Sequence, residues 1–106
     1  SKKWNQAEEI YKKVLQRDPD NMSIRLSLAY IEAMAGDTDK AYELYRLVIA
    51  QHPDEESALV NFITVLLVQG RGELAEEQIM LLKQRFPDSK SLADLEKKTE
   101  EMLDKD

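Results

Sequence analysis

The side chains that most often carry out chemistry in proteins are few and scattered in this sequence. His52 is the only histidine, it directly precedes Pro53, and the chain contains no cysteine. Thiolate chemistry and cysteine-ligated metal sites are therefore excluded, and one isolated histidine does not make a metal site. Serines are present, but a serine nucleophile needs a neighbouring base, and no motif supplies one. The residue types predict a protein that is not an enzyme.

Two short motifs begin like ligand-binding loops but lack the residues that would complete them. Residues 37–39, Asp-Thr-Asp, start like a calcium loop, yet the central glycine and the terminal glutamate do not follow. Residues 70–72, Gly-Arg-Gly, lack the preceding strand that a phosphate-binding loop requires. We therefore predict no metal and no cofactor.

The composition excludes further classes of protein. Of 106 residues, 42% are hydrophobic and 34% are charged, which is too apolar for a disordered chain and too charged for a membrane protein. The formal net charge of −6 gives no basic surface to neutralise phosphates, so we expect no nucleic-acid partner. The apolar run at residues 58–68 is too short to span a bilayer. No targeting segment is visible, which leaves the compartment unknown, cytoplasmic or periplasmic.

The prolines reveal an internal repeat. Pro19, Pro53 and Pro87 are spaced by 34 residues, and an aspartate follows each of them. The same interval separates residues of matching size and polarity: Ala7, Ala41 and Ala75; Tyr11, Tyr45 and Ile79; Val14, Val48 and Leu82; Leu28 and Phe62; Gly36 and Gly70. A fixed period of this length indicates one supersecondary unit that is stacked several times.

Each unit is predicted to be a pair of helices. Apolar residues recur with a 3.6-residue period over residues 4–17, 38–51 and 72–85, and two more apolar helices are predicted at about 22–35 and 55–69. A sixth helix is predicted at 89–104 with a narrow apolar stripe of Leu92, Leu95, Met102 and Leu103.

Glycine and proline mark the predicted helix ends. Gly36 and Gly70 would close the more apolar helices in the left-handed conformation, and the three prolines would follow the other helices. The predicted N-caps after the prolines are Asp20 or Asn21, then Asp54, then Asp88 or Ser89.

A 34-residue pair of helices with small, aromatic and proline residues at these positions resembles the tetratricopeptide repeat. The resemblance rests on Leu28, Ala29, Gly36, Ala41, Tyr45 and Pro53 in one repeat, on Leu59, Phe62, Gly70, Ala75 and Pro87 in the next, and on Ala7, Tyr11 and Pro19 before them. Three residues depart from the family pattern: Arg25, Glu32 and Ile63.

The resemblance implies an all-α fold, an αα superhelix in which about six helices form a right-handed solenoid of antiparallel pairs. It implies one domain over residues 1–106. That domain would contain the second helix of a partial repeat, two full repeats and a C-terminal capping helix, at residues 1–21, 22–55, 56–89 and 90–106. The apolar face of residues 4–15 has no partner helix in this scheme, so we expect a piece of a longer array.

The family resemblance also implies a function: a non-catalytic scaffold that binds a protein or peptide partner, as in bacterial envelope, secretion and polysaccharide-export assemblies. The partner segment would lie in the concave groove formed by the first helix of each repeat. The implied groove residues are Leu26, Tyr30, Met34, Val60, Asn61, Thr64, Leu67 and Val68. Members that grip the C-terminal carboxylate of chaperones use lysine, asparagine and arginine. The corresponding positions here are Ser23, Ser27, Ser57 and Asn61, and only Asn61 is of the right type. We therefore do not expect a carboxylate-clamp co-chaperone.

Two alternatives are open from the sequence alone. The helices at 22–35 and 55–69 are apolar on nearly every side, so their apolar residues either form an exposed groove or close off between neighbouring repeats. A second functional hypothesis is homotypic oligomerisation, in which the open helix at residues 4–17 stacks on another copy of the chain.

Overall fold

A computed structural model describes residues 2–104, apart from the side chains of Lys2 and Trp4. The predicted open face of residues 4–15 begins at Trp4, so that part of the prediction lies outside the described side chains. This described range contains no strand and forms six helices: α1 (Lys2–Arg17), α2 (Met22–Met34), α3 (Thr38–Gln51), α4 (Glu56–Val68), α5 (Gly72–Arg85) and α6 (Leu92–Asp104). The predicted all-α helical repeat fold is confirmed. The helices divide into two compact units, residues 1–52 and 53–106. The single-domain organisation stays a prediction.

In the first unit, α2 packs against both α1 and α3. Ala41, Tyr45 and Val48 on α3 are completely buried, and the small Ala41 side chain lets the helix axes approach closely. Arg25, which departs from the repeat pattern, has a polar partner instead of an apolar one. Its Nη1 donates a hydrogen bond of 2.5 Å to Oε1 of Gln51 on α3.

In the second unit, α5 packs against both α4 and α6, and α4 also contacts α6. Phe62, Ile63 and Leu66 on α4 and Leu82 on α5 form the buried centre of this unit. Because these residues recur at a helical period on facing surfaces, the second unit has one continuous apolar core.

Both predicted glycine helix ends are confirmed, and they have the same geometry. Gly36 has a φ of +98° and Gly70 a φ of +75°, in the left-handed region that favours glycine. After α2, the Asp37 N–H donates to the Glu32 carbonyl at 2.9 Å and the Gly36 N–H donates to the Ala33 carbonyl at 3.2 Å. The equivalent bonds after α4 measure 2.8 and 3.1 Å. These bonds satisfy the last carbonyls of each helix and turn the chain toward the next helix.

The helix starts are less regular than the prolines suggest. Asn21 is the N-cap of α2, because its Oδ1 accepts a hydrogen bond of 3.1 Å from the Ile24 N–H. The prediction of Asp54 as an N-cap is wrong. Residues 53 and 54 form a turn, and Glu55 occupies the cap position of α4 without a side-chain cap bond.

The predicted start of α6 at residue 89 is also wrong, and neither Asp88 nor Ser89 caps that helix. The Ser91 and Leu92 N–H groups donate to the Ser89 hydroxyl and carbonyl, each at 3.3 Å. This local turn uses the residues that would otherwise form the first helical turn, so α6 begins at Leu92. Within residues 2–104, no helix is long and apolar enough to cross a membrane.

Candidate functional site

The three predicted groove residues of the first unit follow one side of α2 but differ in exposure. Leu26 is buried and belongs to the core of this unit, and Met34 at the C-terminal end is half-buried. Tyr30 lies between them and is 44% exposed. The predicted surface is therefore reduced to one exposed aromatic ring and the partly exposed thioether that follows it one turn later.

The five predicted groove residues of the second unit form a more exposed strip on α4. Val68 is 70% exposed, Asn61 and Thr64 are exposed, and Val60 and Leu67 are half-buried. No charged residue occurs between positions 57 and 69. Val68 is therefore the most exposed apolar side chain among the predicted site residues, although apolar side chains of this size are usually buried.

A cleft of about 360 Å³ lies beside this strip, between α4 and α6. Thr64, Leu67 and Val68 form one wall, and the other wall consists of four residues of α6: Leu95, Lys98, Glu101 and Met102. The volume is near the lower end of the roughly 300–1,000 Å³ typical of ligand pockets. The sequence did assign Leu95 and Met102 to an apolar stripe of α6, but only as packing residues of a cap, so the second wall was missed.

The cleft is lined mostly by apolar side chains, together with the Thr64 hydroxyl and the charged side chains of Lys98 and Glu101. The Thr64 hydroxyl donates to the Val60 carbonyl at 2.8 Å, so its hydrogen is used within α4. Lys98 Nζ lies 3.0 Å from Oδ2 of Asp94, one helical turn away. Glu101 is exposed and forms no ion pair with any other residue in the range 2–104. The cleft therefore suits a large apolar side chain, and the Glu101 carboxylate on its lining has no ion-pair partner among the described residues.

A second cluster of polar residues lies inside the first unit, where α1, α2 and α3 meet. Glu32 on α2 is only 4% exposed, and its Oε1 has no hydrogen-bond partner. The nearest cation is Lys40 Nζ at 3.6 Å, and the same ammonium lies 3.9 Å from Oε1 of Glu8 on α1. Lys12 also binds that Glu8 oxygen, at 2.5 Å.

The pKa values of the two carboxyl groups in this cluster are shifted in opposite directions. Burial raises the pKa of Glu32, since the charged form loses its hydration. The hydrogen bond from Lys12 lowers the pKa of the Glu8 carboxyl. Because the Glu32 side chain is buried, its ionisation acts on the stability of the first unit. Repeat-pattern reasoning flags Glu32 as unusual but gives no reason for its burial.

The acidic residues and the histidine are not grouped as metal ligands within residues 2–104. In the part of the chain that the structure describes, no three His, Asp or Glu side chains are grouped so that they could hold a metal ion. His52 is half-buried at the C-terminal end of α3, where its backbone N–H donates to the Val48 carbonyl at 2.8 Å.

The outer face of α1 is a further apolar surface. Ile10 is 59% exposed, and together with Val14, Lys13 and Arg17 it lines a shallow cleft of about 240 Å³. Val14 is half-buried, whereas the residue one repeat later, Val48, is completely buried. The face of α1 is therefore less covered than the matching face of α3.

Comparison with known proteins agrees with this description of the fold. The tetratricopeptide repeat family matches the chain twice, over residues 1–58 and over residues 32–98. No curated protein and no solved structure gives a significant match. The family generally consists of protein–protein interaction scaffolds and is typically non-catalytic. The 34-residue period, the paired helices and the matching family over most of its length show that this chain belongs to the tetratricopeptide repeat family.

Proposed function

We propose that this chain is an interaction module that binds a segment of a partner protein through the exposed apolar residues of α4. The observation that carries the proposal is Val68, which is 70% exposed on a helix without charged side chains between residues 57 and 69. Covering apolar area contributes roughly 25 cal/mol per Å², so this strip supplies a driving force for association. A scaffold in a larger assembly, such as a bacterial envelope, secretion or polysaccharide-export system, is the setting that we infer.

Affinity capture from an extract of the source organism tests this proposal. The baits are the parent chain, a Tyr30→Glu, Leu67→Glu double variant and a Val68→Glu single variant. We expect one or more proteins to be retained by the parent and lost with both variants, because a carboxylate placed on the contact surface cannot be desolvated cheaply. Helicity measured by circular dichroism should be unchanged for Val68→Glu, whose side chain lies outside the core.

A Met80→Glu variant is the matched control. Met80 lies on α5 in the same unit and is 67% exposed, so this change adds the same charge to an apolar surface residue of similar exposure. It should retain every partner of the parent. Equal capture by the parent and the Val68→Glu variant would show that α4 is not the binding surface and would refute the proposal.

Homotypic oligomerisation is the second candidate function, and the exposed Ile10 on α1 favours it. If α1 joins two copies, the parent should show a mass that rises with concentration in analytical ultracentrifugation, and Ile10→Glu should remain monomeric. Leu47→Glu is the control, since Leu47 is a 43% exposed residue of α3 in the same unit. A monomeric parent over the whole concentration range would exclude this function for the chain.

A further inference from the structure

We propose that the cleft between α4 and α6 selects a partner segment by binding one large apolar side chain that has lysine or arginine residues next to it. This inference rests on the proposed function, because the cleft shares Thr64, Leu67 and Val68 with the α4 strip. It adds the identity of the anchoring residue and the sign of the charges around it.

The apolar anchor follows from what the cleft can and cannot satisfy. Its interior is formed by the side chains of Leu67, Val68, Leu95 and Met102, and the one hydroxyl, of Thr64, already donates to a helix carbonyl. A polar side chain among these four would lose its water and could gain only a hydrogen bond to the Thr64 oxygen, which leaves a net cost in free energy. A leucine, methionine or phenylalanine side chain would instead lose only apolar contact with water. Met102 adds a flexible thioether that can adapt to the shape of the entering group.

The preference for basic neighbours follows from the charges at the rim. Among the residues that line the cleft, the charged ones are Lys98 and Glu101, and both belong to α6. Lys98 is already paired with Asp94 at 3.0 Å, which leaves Glu101 as the lining charge without an ion-pair partner within residues 2–104. A lysine or arginine next to the anchor would meet that carboxylate, whereas an aspartate or glutamate would be repelled by it.

The distribution of charge along the chain favours the same partner. Residues 53–106 contain 13 acidic and seven basic side chains, whereas residues 1–52 contain eight of each. The entire formal charge of −6 therefore belongs to the unit that contains the cleft. A basic segment would be attracted to this unit over a distance of about 8–10 Å at physiological ionic strength, before any contact forms.

Selection from a displayed library of random 12-residue peptides tests the inference. The library is first depleted on immobilised Val68→Glu protein and then selected on the parent chain. We expect the enriched peptides to share one large apolar residue with lysine or arginine within one or two positions. Enriched peptides without an apolar residue, or with acidic neighbours, would overturn the inference, and so would the absence of enrichment.

Binding of one selected peptide to variants then separates the cleft from general charge attraction. Because Val68→Glu makes the unit more acidic, attraction alone predicts tighter binding of a basic peptide, whereas occupation of the cleft predicts binding that is weaker by about tenfold or more. Met80→Glu carries the same added charge away from the cleft and should not weaken binding. Glu101→Gln should weaken binding by about two- to fivefold, the range expected for an exposed ion pair.

The outcomes also distinguish this inference from the proposed function. Peptides that depend on Val68 but carry no basic residues would leave α4 as a binding surface and overturn only the selection of a basic segment. If the capture experiment succeeds while the chosen peptide binds the parent and Val68→Glu equally, the proposed function stands and the cleft is not the anchor site.

Discussion

Replacing Phe62 with alanine is expected to lower the free energy of unfolding of residues 53–106 by about 3–5 kcal/mol. Phe62 is 1% exposed, and it lies at the centre of the core that α4, α5 and α6 share. Removing the ring takes away its buried apolar surface and leaves a cavity that the neighbouring helices can fill only in part. Since small domains are stable by only about 5–15 kcal/mol, this one substitution can remove a large part of the total.

Two further variants distinguish the effect of a cavity in the core from the effect of shortening any apolar side chain. Met80→Ala shortens an apolar side chain of the same unit that is 67% exposed, and it should change stability by less than about 0.5 kcal/mol. Phe62→Leu introduces the residue found one repeat earlier, Leu28, and should cost under about 1.5 kcal/mol. Urea unfolding followed by circular dichroism at the helix band measures all three. Equal midpoints for Phe62→Ala and Met80→Ala would show that Phe62 is not a core residue.

Replacing Glu32 with leucine is expected to stabilise the first unit at neutral pH by about 1–3 kcal/mol. The Glu32 carboxyl is buried, its Oε1 lacks a hydrogen bond, and its nearest cation, Lys40 Nζ, lies 3.6 Å away. One repeat later the corresponding residues are Leu66, which is completely buried, and Leu74. The second unit therefore contains at these two positions the apolar pair that the first unit replaces with a charged pair.

The stability gained by Glu32→Leu should depend on pH, because the parent carries an ionisable group at this position. Burial raises the folded-state pKa of Glu32 above its ordinary value of 4.5, so protonation of this group favours folding below that pH. That contribution is lost as the pH rises through the raised pKa. Glu8, whose pKa is lowered by the hydrogen bond from Lys12, changes stability in the opposite sense. The stability gained by Glu32→Leu over the parent should therefore grow from about pH 4 to neutral pH.

A double-mutant cycle completes the test. Lys40→Leu alone should destabilise the first unit by about 1 kcal/mol, a moderate loss because the lysine side chain is 43% exposed. Glu32→Leu combined with Lys40→Leu should recover stability to at least that of the parent. A Glu32→Leu variant that is less stable than the parent at neutral pH would show that the ion pair outweighs the cost of burying the carboxyl.

The helices could be predicted because each depends on local signals. The 34-residue period, the apolar spacing and the two glycines locate five of the six helices to within about two residues of their observed bounds. The errors fall where several polar residues compete for the same backbone groups. After Pro87, the Ser89 hydroxyl and carbonyl accept bonds from the next residues and delay α6 by three positions, which composition alone does not reveal.

The surface of the candidate site was harder to predict. Leu26 and Tyr30 lie on the same side of α2, yet one is buried and the other exposed, a difference that helical periodicity alone does not predict. Thr99 shows a related difficulty, since it is buried in α6 despite its hydroxyl. That hydroxyl donates to the Leu95 carbonyl at 2.7 Å, and this bond allows a polar residue into an apolar contact.

The order in which the helices pack has a consequence for how the chain acquires its structure. Apart from the contact of α4 with α6 and the approach of Lys40 on α3 to Glu8 on α1, the described contacts within each unit join helices that are neighbours in sequence. Such short-range contacts give a low contact order and fast folding. On the ribosome, the first unit can therefore fold as soon as α3 has emerged. The uncharged segment of α4 must wait for α5 and α6, and during synthesis it is the part of the chain most exposed to aggregation and to chaperone binding.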